Sequence, residues 1–141
     1  MVQLWVNLRA KDKSANAGYQ TLLRSQIPTV SLAQDAGTLR VIAGEFAGRT
    51  GAAKTFTPIN LWDLNLGAGK SAQLPLPDGH TTTFLVLSGE VEVNGQPKAG
   101  EGDFAIFSRS GNGITLTAMS NAKLLVMDGE VRRTVQESRL S

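Results

Sequence analysis

Apolar and polar residues alternate along most of this chain. Around Trp62, the apolar residues Trp62, Leu64 and Leu66 share one face, while Asp63 and Asn65 occupy the other. A two-residue period places successive side chains on opposite faces of a β-strand. Helical periodicity is almost absent elsewhere, so the pattern predicts an all-β chain.

Two further segments, residues 84–87 and 124–127, are continuously apolar, which is typical of strands buried on both faces. Together with the alternating segments they predict ten strands. These are expected near residues 3–8, 26–32, 38–44, 59–66, 70–76, 82–88, 90–94, 103–107, 113–118 and 123–128.

Glycine-containing turn sequences separate these segments, mostly at intervals of about ten residues. Asn94-Gly95 is a strong hairpin signal, because both central positions of a type I′ turn need a positive φ. A length of 141 residues suits one domain with one core. The spacing therefore predicts a single sandwich or barrel.

Two segments do not follow the alternation. Residues 9–25 are predicted to form a polar loop with a helical turn near residues 19–23. Residues 46–58 are rich in Gly, Ala and Thr and end in Pro58, which favours an extended entry to the next strand. The overlapping glycine-rich residues 44–51 lack the Gly-Lys-Ser/Thr ending of a phosphate-binding loop and are predicted to form a mobile surface loop.

Charge and composition exclude several classes of function. The net charge is +2 and the basic residues are scattered, so we expect no nucleic-acid partner. The sequence contains no Cys, which excludes disulfide and thiol chemistry and fits a reducing compartment. Neither a leader nor a membrane span is evident. We expect a soluble, cytoplasmic chain that does not contact membranes.

Residues 86–91 read Val-Leu-Ser-Gly-Glu-Val and lie within a longer segment, residues 74–95, that resembles the first motif of the cupin family. The resemblance implies a cupin-type double-stranded β-helix, also described as a jelly-roll barrel. In cupins this motif supplies two His and one Glu to a metal. The resemblance places Leu76, Asp78 and Thr82 at those three positions.

The second cupin motif would place a His near Gly113 or Ile114, and this chain has none there. A catalytic metal centre needs three or more His, Cys or carboxylate donors that converge. With one His and no Cys in the whole chain, we predict no metal, no cofactor and no catalytic residue.

A more specific resemblance covers nearly the whole chain up to about Glu130. The segment Leu-Trp-Val-Asn-Leu at residues 4–8, followed by Ala-Lys-Asp-Lys at 10–13, is similar to the second half of pirin and its bacterial relatives. Further shared motifs are Tyr19-Gln20, Ile27-Pro28, residues 40–45, Thr57-Pro58, residues 74–77 and residues 89–91.

The pirin resemblance implies a division of the chain. Pirins are bicupins, and their iron site and quercetin-dioxygenase-like activity belong to the first barrel, so no residue of that site can be assigned to this chain. Residues 1–13 correspond to a bridging strand and basic loop, 14–130 to the C-terminal cupin barrel and 131–141 to a tail.

His80 follows Asp78-Gly79 and is the one histidine available for acid–base or metal chemistry. A single His with one Asp falls short of a coordination set, and no Gly-x-Ser-x-Gly sequence supports a nucleophilic serine. We interpret His80 as a loop residue with, at most, a contact role. Glu90 and Glu92 alternate with Val91 and Val93, which favours a solvated outer face over paired acid–base groups.

The interior of the barrel offers a candidate pocket for a small apolar ligand. By strand parity Thr82, Phe84 and Val86 face inward, and Trp62 is expected on the neighbouring wall. A small barrel either fills itself with side chains or leaves room for one small ligand, and both interpretations remain open.

Three functions follow from these observations. The leading prediction is a metal-free, non-catalytic cupin domain with a structural or interaction role. A second is the inert half, or a relative, of an iron-dependent quercetin-dioxygenase-like pirin. A third, implied by the resemblance, is a small-molecule-sensing or transcription co-regulator domain.

The apolar residues of the N-terminal strand predict self-association. In bicupin relatives this strand bridges two barrels, so in a lone barrel Leu4, Trp5, Val6 and Leu8 would lack a neighbour. Exposed edges of this kind favour strand exchange or face-to-face pairing. We therefore expect a homodimer formed through this strand.

Overall fold

The computed structural model describes residues 1–95, 98–108 and 110–130. In this part of the chain there are eleven strands and three short 3₁₀ turns. The strands are β1 (Thr29–Ser31), β2 (Gly37–Ala43), β3 (Glu45–Phe46), β4 (Arg49–Thr50), β5 (Ile59–Leu66), β6 (Ser71–Pro75), β7 (Thr81–Ser88), β8 (Val91–Val93), β9 (Phe104–Ile106), β10 (Gly113–Ala118) and β11 (Ala122–Gly129). The 3₁₀ turns are Ala10–Asp12, Arg24–Gln26 and Ala33–Asp35.

Two antiparallel sheets build the domain. The larger has six strands in the order β1-β2-β5-β11-β7-β9, and the smaller has three in the order β6-β10-β8. A separate two-stranded hairpin pairs β3 with β4. Because β11 pairs with both β5 and β7, it is one of the two central strands of the large sheet, beside β5.

The core lies between the two sheets. In β7 the residues Thr82, Phe84 and Val86 are buried, and in β11 Leu124 and Val126 are fully enclosed. Side chains of the small sheet complete the same cluster: Ala72, Leu74, Val91, Ile114, Leu116 and Ala118. Alternation in sequence therefore corresponds to alternation in burial, and the all-β prediction is confirmed.

Two turns have the backbone that their sequences predict. Asn94 and Gly95 both have positive φ, 50° and 70°, as a type I′ turn requires. Gly89 has a φ of 80°, and a Cβ at this position would lie 2.2 Å from the backbone oxygen of Asn121. The turn after β7 thus needs glycine both for its conformation and for its close approach to the neighbouring backbone.

Three local predictions were wrong. Residues 3–8 form no regular strand, because no described backbone segment pairs with them. Within residues 44–51, which were predicted to form a loop, β3 and β4 form a short hairpin, and Phe46 packs edge-on against Trp62 with ring centroids 5.1 Å apart. The helical turn expected at 19–23 occurs later, as a 3₁₀ turn at Arg24–Gln26.

The predicted tail, residues 131–141, lies outside the described residues, so that division remains a prediction. In the described ranges, no helix is long and apolar enough to cross a membrane.

Candidate functional site

Three of the positions singled out by the cupin motifs meet at one end of the two-sheet domain. Leu76 follows β6, Thr82 lies near the start of β7, and Ile114 lies near the start of β10. All three line a cavity of about 80 Å³. Its wall also includes Pro77, His80, Asn94, Phe107, Ser108, Ser110, Gly111 and Gly113. We call this end, where β7 begins, the open end.

The side chains at these positions have little capacity to ligate a metal. Leu76 and Ile114 offer only hydrocarbon. Asp78 Oδ1 accepts a hydrogen bond of 2.8 Å from the Gly111 backbone N–H, which ties the β6–β7 loop to the loop before β10. Among the residues that the structure describes, no group of three or more His, Cys, Asp or Glu side chains is placed to hold a metal ion.

A polar cluster that the sequence interpretation missed lies beside this cavity. Asp128 on β11 is buried, with 2 % of its surface exposed. Its Oδ2 atom accepts a hydrogen bond from Asn60 Nδ2 at 2.9 Å and lies 3.2 Å from His80 Nδ1. Its Oδ1 atom accepts one from the Thr82 hydroxyl at 3.2 Å. We call these four residues the Asp128 cluster.

The Asp128 cluster joins three neighbouring strands and a loop through one carboxylate. Asn60 belongs to β5, Thr82 to β7 and His80 to the loop before β7. A buried carboxylate is costly unless donors satisfy its oxygens, and here each oxygen has at least one partner. The contact between His80 Nδ1 and the Asp128 carboxylate orients the imidazole ring of His80.

One sequence signal points to Asp128. It continues the inward-facing parity of Leu124 and Val126, so alternation alone places a charged side chain inside the barrel. Its partners were not predictable from local pattern, since His80 is 48 residues away and Asn60 is 68 residues away.

The four residues of the predicted pocket do not line one common cavity. Phe84 and Val86 are enclosed in the core, with 0 % and 1 % exposure. Thr82 lines the 80 Å³ cavity, whereas Trp62 belongs to a separate, wider cleft of about 400 Å³ beside Phe46. The Trp62 indole N–H is buried and has no hydrogen-bond partner within the described ranges. A small apolar ligand in the barrel remains a prediction.

Comparison with known proteins identifies the family. The family model for the pirin C-terminal cupin domain matches residues 61–135. This chain belongs to the pirin family. A Pseudomonas aeruginosa protein provisionally named a quercetin 2,3-dioxygenase is 45% identical over 130 residues, which is 92% of this chain and 45% of that protein. Human pirin is 37% identical over 92 residues, 65% of this chain and 31% of pirin.

A solved structure agrees with this assignment. Quercetin 2,3-dioxygenase from Acinetobacter baumannii superposes with a TM-score of 0.86 and 41% identity, covering 89% of this chain and 44% of that one. The predicted cupin fold is therefore confirmed. The chain spans less than half the length of these pirin-family relatives.

The pirin-family assignment allows the residues at the open end to be compared with the cupin motif. Leu76, Thr82 and Ile114, which the motif resemblance singled out, line one cavity. His80 lies in the same wall, and its Nδ1 atom is 3.2 Å from the Asp128 carboxylate.

Proposed function

We propose that this chain is a metal-free, non-catalytic cupin domain of the pirin family with a structural or interaction role. One observation carries the proposal: the cavity at the open end is lined by Leu76, Thr82 and Ile114 where a cupin metal centre needs donors. Hydrocarbon and hydroxyl side chains do not form the set of three His, Cys or carboxylate donors that such centres use.

The size of the cavity supports the same proposal. Pockets for drug-sized ligands measure roughly 300–1,000 Å³. The cavity at the open end measures about 80 Å³, too little for a flavonol. The neighbouring Trp62 cleft is larger, about 400 Å³, and its polar side chains are Asn60, already bonded to Asp128, Glu45 and Trp62, whose indole N–H has no partner among the described residues.

The hydrogen bonds of the Asp128 cluster favour a structural role for its carboxylate. Thr82 and Asn60 donate to Asp128 from two adjacent strands, and His80 lies against it from the loop. A carboxylate with its oxygens engaged in this way fixes the strand ends.

A second candidate rests on the names of the relatives. Proteins named as quercetin 2,3-dioxygenases match most of this chain, yet the chain covers less than half of each. We therefore also propose that, in a longer protein, oxidation belongs to another barrel and this domain is the inert half. An adjoining sequence with a His-x-His, Glu and His set would favour this candidate. A cytoplasmic location is part of both proposals, and the absence of Cys is compatible with it.

Metal content and oxygen uptake test the leading proposal. The 141-residue chain is purified without an affinity tag, its transition metals are measured by mass spectrometry, and oxygen consumption is followed with quercetin. We expect no stoichiometric metal and no quercetin-dependent uptake. A stoichiometric iron that disappears in His80→Ala would overturn the proposal.

A variant with restored ligands provides the matched control. Leu76→His, Asp78→His, Thr82→Glu and Ile114→His together install the donor types of the cupin motifs on the same backbone. Circular dichroism first establishes that the variant folds. Metal binding by a folded variant, alongside a metal-free parent, would show that side-chain chemistry and not the scaffold is what the parent lacks.

A further inference from the structure

The cleft beside Trp62 measures about 400 Å³, within the range of roughly 300–1,000 Å³ that is usual for small-molecule sites. It shares part of its wall with the smaller cavity at the open end. The other three residues of the pocket predicted from the sequence, Thr82, Phe84 and Val86, do not line it. The Trp62 cleft is therefore a different place from the predicted interior pocket.

Apolar rings form much of the wall of the Trp62 cleft. Phe46 comes from the β3–β4 hairpin, Trp62 from β5, and Pro75 and Pro77 from the end of β6. The Phe46 and Trp62 rings pack edge to face, with centroids 5.1 Å apart and planes at 69°. Walls of this kind favour an occupant that is itself a flat ring.

The Trp62 indole N–H is an unsatisfied donor in this wall. Trp62 is 1% exposed, its Nε1 atom is buried, and no acceptor among the described residues bonds to it. An indole N–H can only donate, and a buried donor without an acceptor is destabilising. An occupant that brings an oxygen acceptor into the cleft would satisfy this N–H.

The other polar groups of the cleft limit the charge of the occupant. Asn60 is engaged at both ends of its amide, since Nδ2 donates to Asp128 Oδ2 at 2.9 Å and Oδ1 accepts the Glu45 backbone N–H at 3.1 Å. Glu45 is exposed, and its carboxylate forms no ion pair within the described ranges. A carboxylate at the rim repels anions, so an uncharged occupant fits the cleft better.

Phe46 is the part of the wall that can admit an acceptor to the N–H. The Nε1 atom is closed to solvent, so a neighbouring side chain must turn aside before a ligand atom reaches it. Phe46 is half-buried on a hairpin that forms its own two-stranded sheet. Side chains near the surface change rotamer readily, which makes Phe46 the residue that yields.

We propose that the Trp62 cleft binds an uncharged aromatic carbonyl compound whose oxygen accepts the Trp62 indole N–H. The ring would lie among the ring side chains of the wall, and the carbonyl oxygen would meet the unsatisfied donor. This binding site goes beyond the structural role proposed above. Metal content tests that role and ligand binding tests this site, so each can fail alone.

The indole N–H signals in a proton–nitrogen correlation spectrum give the first test. The chain has two tryptophans, and the variant Trp5→Phe assigns the signal of Trp62. The probes are acetophenone and α-methylstyrene, which has the same shape but carries a methylene group in place of the carbonyl oxygen. We expect acetophenone alone to move the Trp62 signal downfield, to saturation. The signal of Trp5, which is 90% exposed, should not move and is the internal control.

Two results of this titration would overturn the proposal. One is a Trp62 signal that acetophenone does not move. The other is an equal displacement by both probes, because their similar ring currents would then explain the shift without a hydrogen bond.

Trp62→Phe keeps a ring in the wall but removes the donor. Once circular dichroism establishes that the variant folds, equilibrium dialysis measures both probes against the parent and the variant. The preference for acetophenone over α-methylstyrene should fall about two- to tenfold, the contribution of one neutral hydrogen bond. Comparing preferences cancels the different hydration of the two probes. An unchanged preference in a folded variant would overturn the proposal.

Benzoate, which replaces the methyl ketone of acetophenone by a carboxylate, tests the charge of the ligand. Glu45→Gln should bind benzoate about two- to fivefold more tightly than the parent does, with acetophenone unchanged. Glu101→Gln is the matched control, since Glu101 is also exposed but does not line the cleft. No gain in Glu45→Gln, or an equal gain in both variants, would overturn the assignment of an uncharged ligand to this cleft.

Discussion

Strand β7 runs between two ends of the domain, and the residue types that each end allows are limited in different ways. At the turn end, Gly89 has positive φ and lies against the backbone of Asn121, so backbone geometry dictates the residue. At the open end, Leu76 and Thr82 line a cavity of about 80 Å³, where the chemistry and size of the side chains, and not the backbone, determine the surface. The two ends therefore limit substitution in different ways.

The core between the two ends gives the largest expected effect. Phe84 is fully buried midway along β7, and its ring lies 5.5 Å from that of Phe107. Phe84→Ala should lower the free energy of unfolding by about 3–5 kcal/mol, because it leaves a cavity in a close-packed interior. Urea denaturation measures the change, and a loss below 1 kcal/mol would mean that Phe84 faces outward.

Gly89→Ala tests the turn end. The new methyl would meet the Asn121 backbone oxygen at 2.2 Å, in a conformation that L-residues rarely adopt. We expect a loss of about 3 kcal/mol, near the upper end for local backbone strain. Gly69→Ala is the matched control, since Gly69 also has positive φ, 75°, but has open space around its Cβ position. Equal losses in both variants would attribute the effect to φ alone and would contradict the close-approach argument.

Prediction from sequence succeeded where a local pattern determines structure. Residues 59–66 and 113–118 were predicted as strands and are β5 and β10, because a period of two specifies both strand and buried face. Residues 3–8 have the same apolar character but form no strand, since a strand also needs a partner backbone, which local sequence does not reveal.

The candidate site was less predictable for a related reason. The composition gives the number of His and Cys residues, but the Asp128 cluster depends on contacts between residues 46 to 68 positions apart. The sequence left a filled core and a small pocket both open at Thr82, Phe84 and Val86, and the structure encloses Phe84 and Val86 in the core. Side-chain parity predicts which face of a strand a residue occupies, but not whether that face borders a cavity or a filled core.

The Asp128 cluster gives a prediction for the open end. Asp128→Ala would leave the buried Thr82 hydroxyl without its acceptor and free Asn60 and His80 from theirs. A loss of about 1–3 kcal/mol is expected for an unsatisfied buried polar group. Thermal unfolding of Asp128→Ala and of the single variant His80→Ala measures it. Because the His80 side chain is partly exposed, His80→Ala should lower stability less than Asp128→Ala does. A larger loss in His80→Ala would mean that His80 has the larger structural role.

The smallest effect is expected on the outer side of the small sheet. Glu92 is half-buried on β8 between Val91 and Val93, opposite Thr117 of β10, and within the described residues it forms no ion pair. Glu92→Ala should change the free energy of unfolding by no more than about 0.5 kcal/mol, as is usual for surface positions without special contacts. Urea denaturation beside Phe84→Ala gives the comparison. Comparable losses of unfolding free energy in Glu92→Ala and Phe84→Ala would mean that the inner and outer faces of the sheets are assigned wrongly.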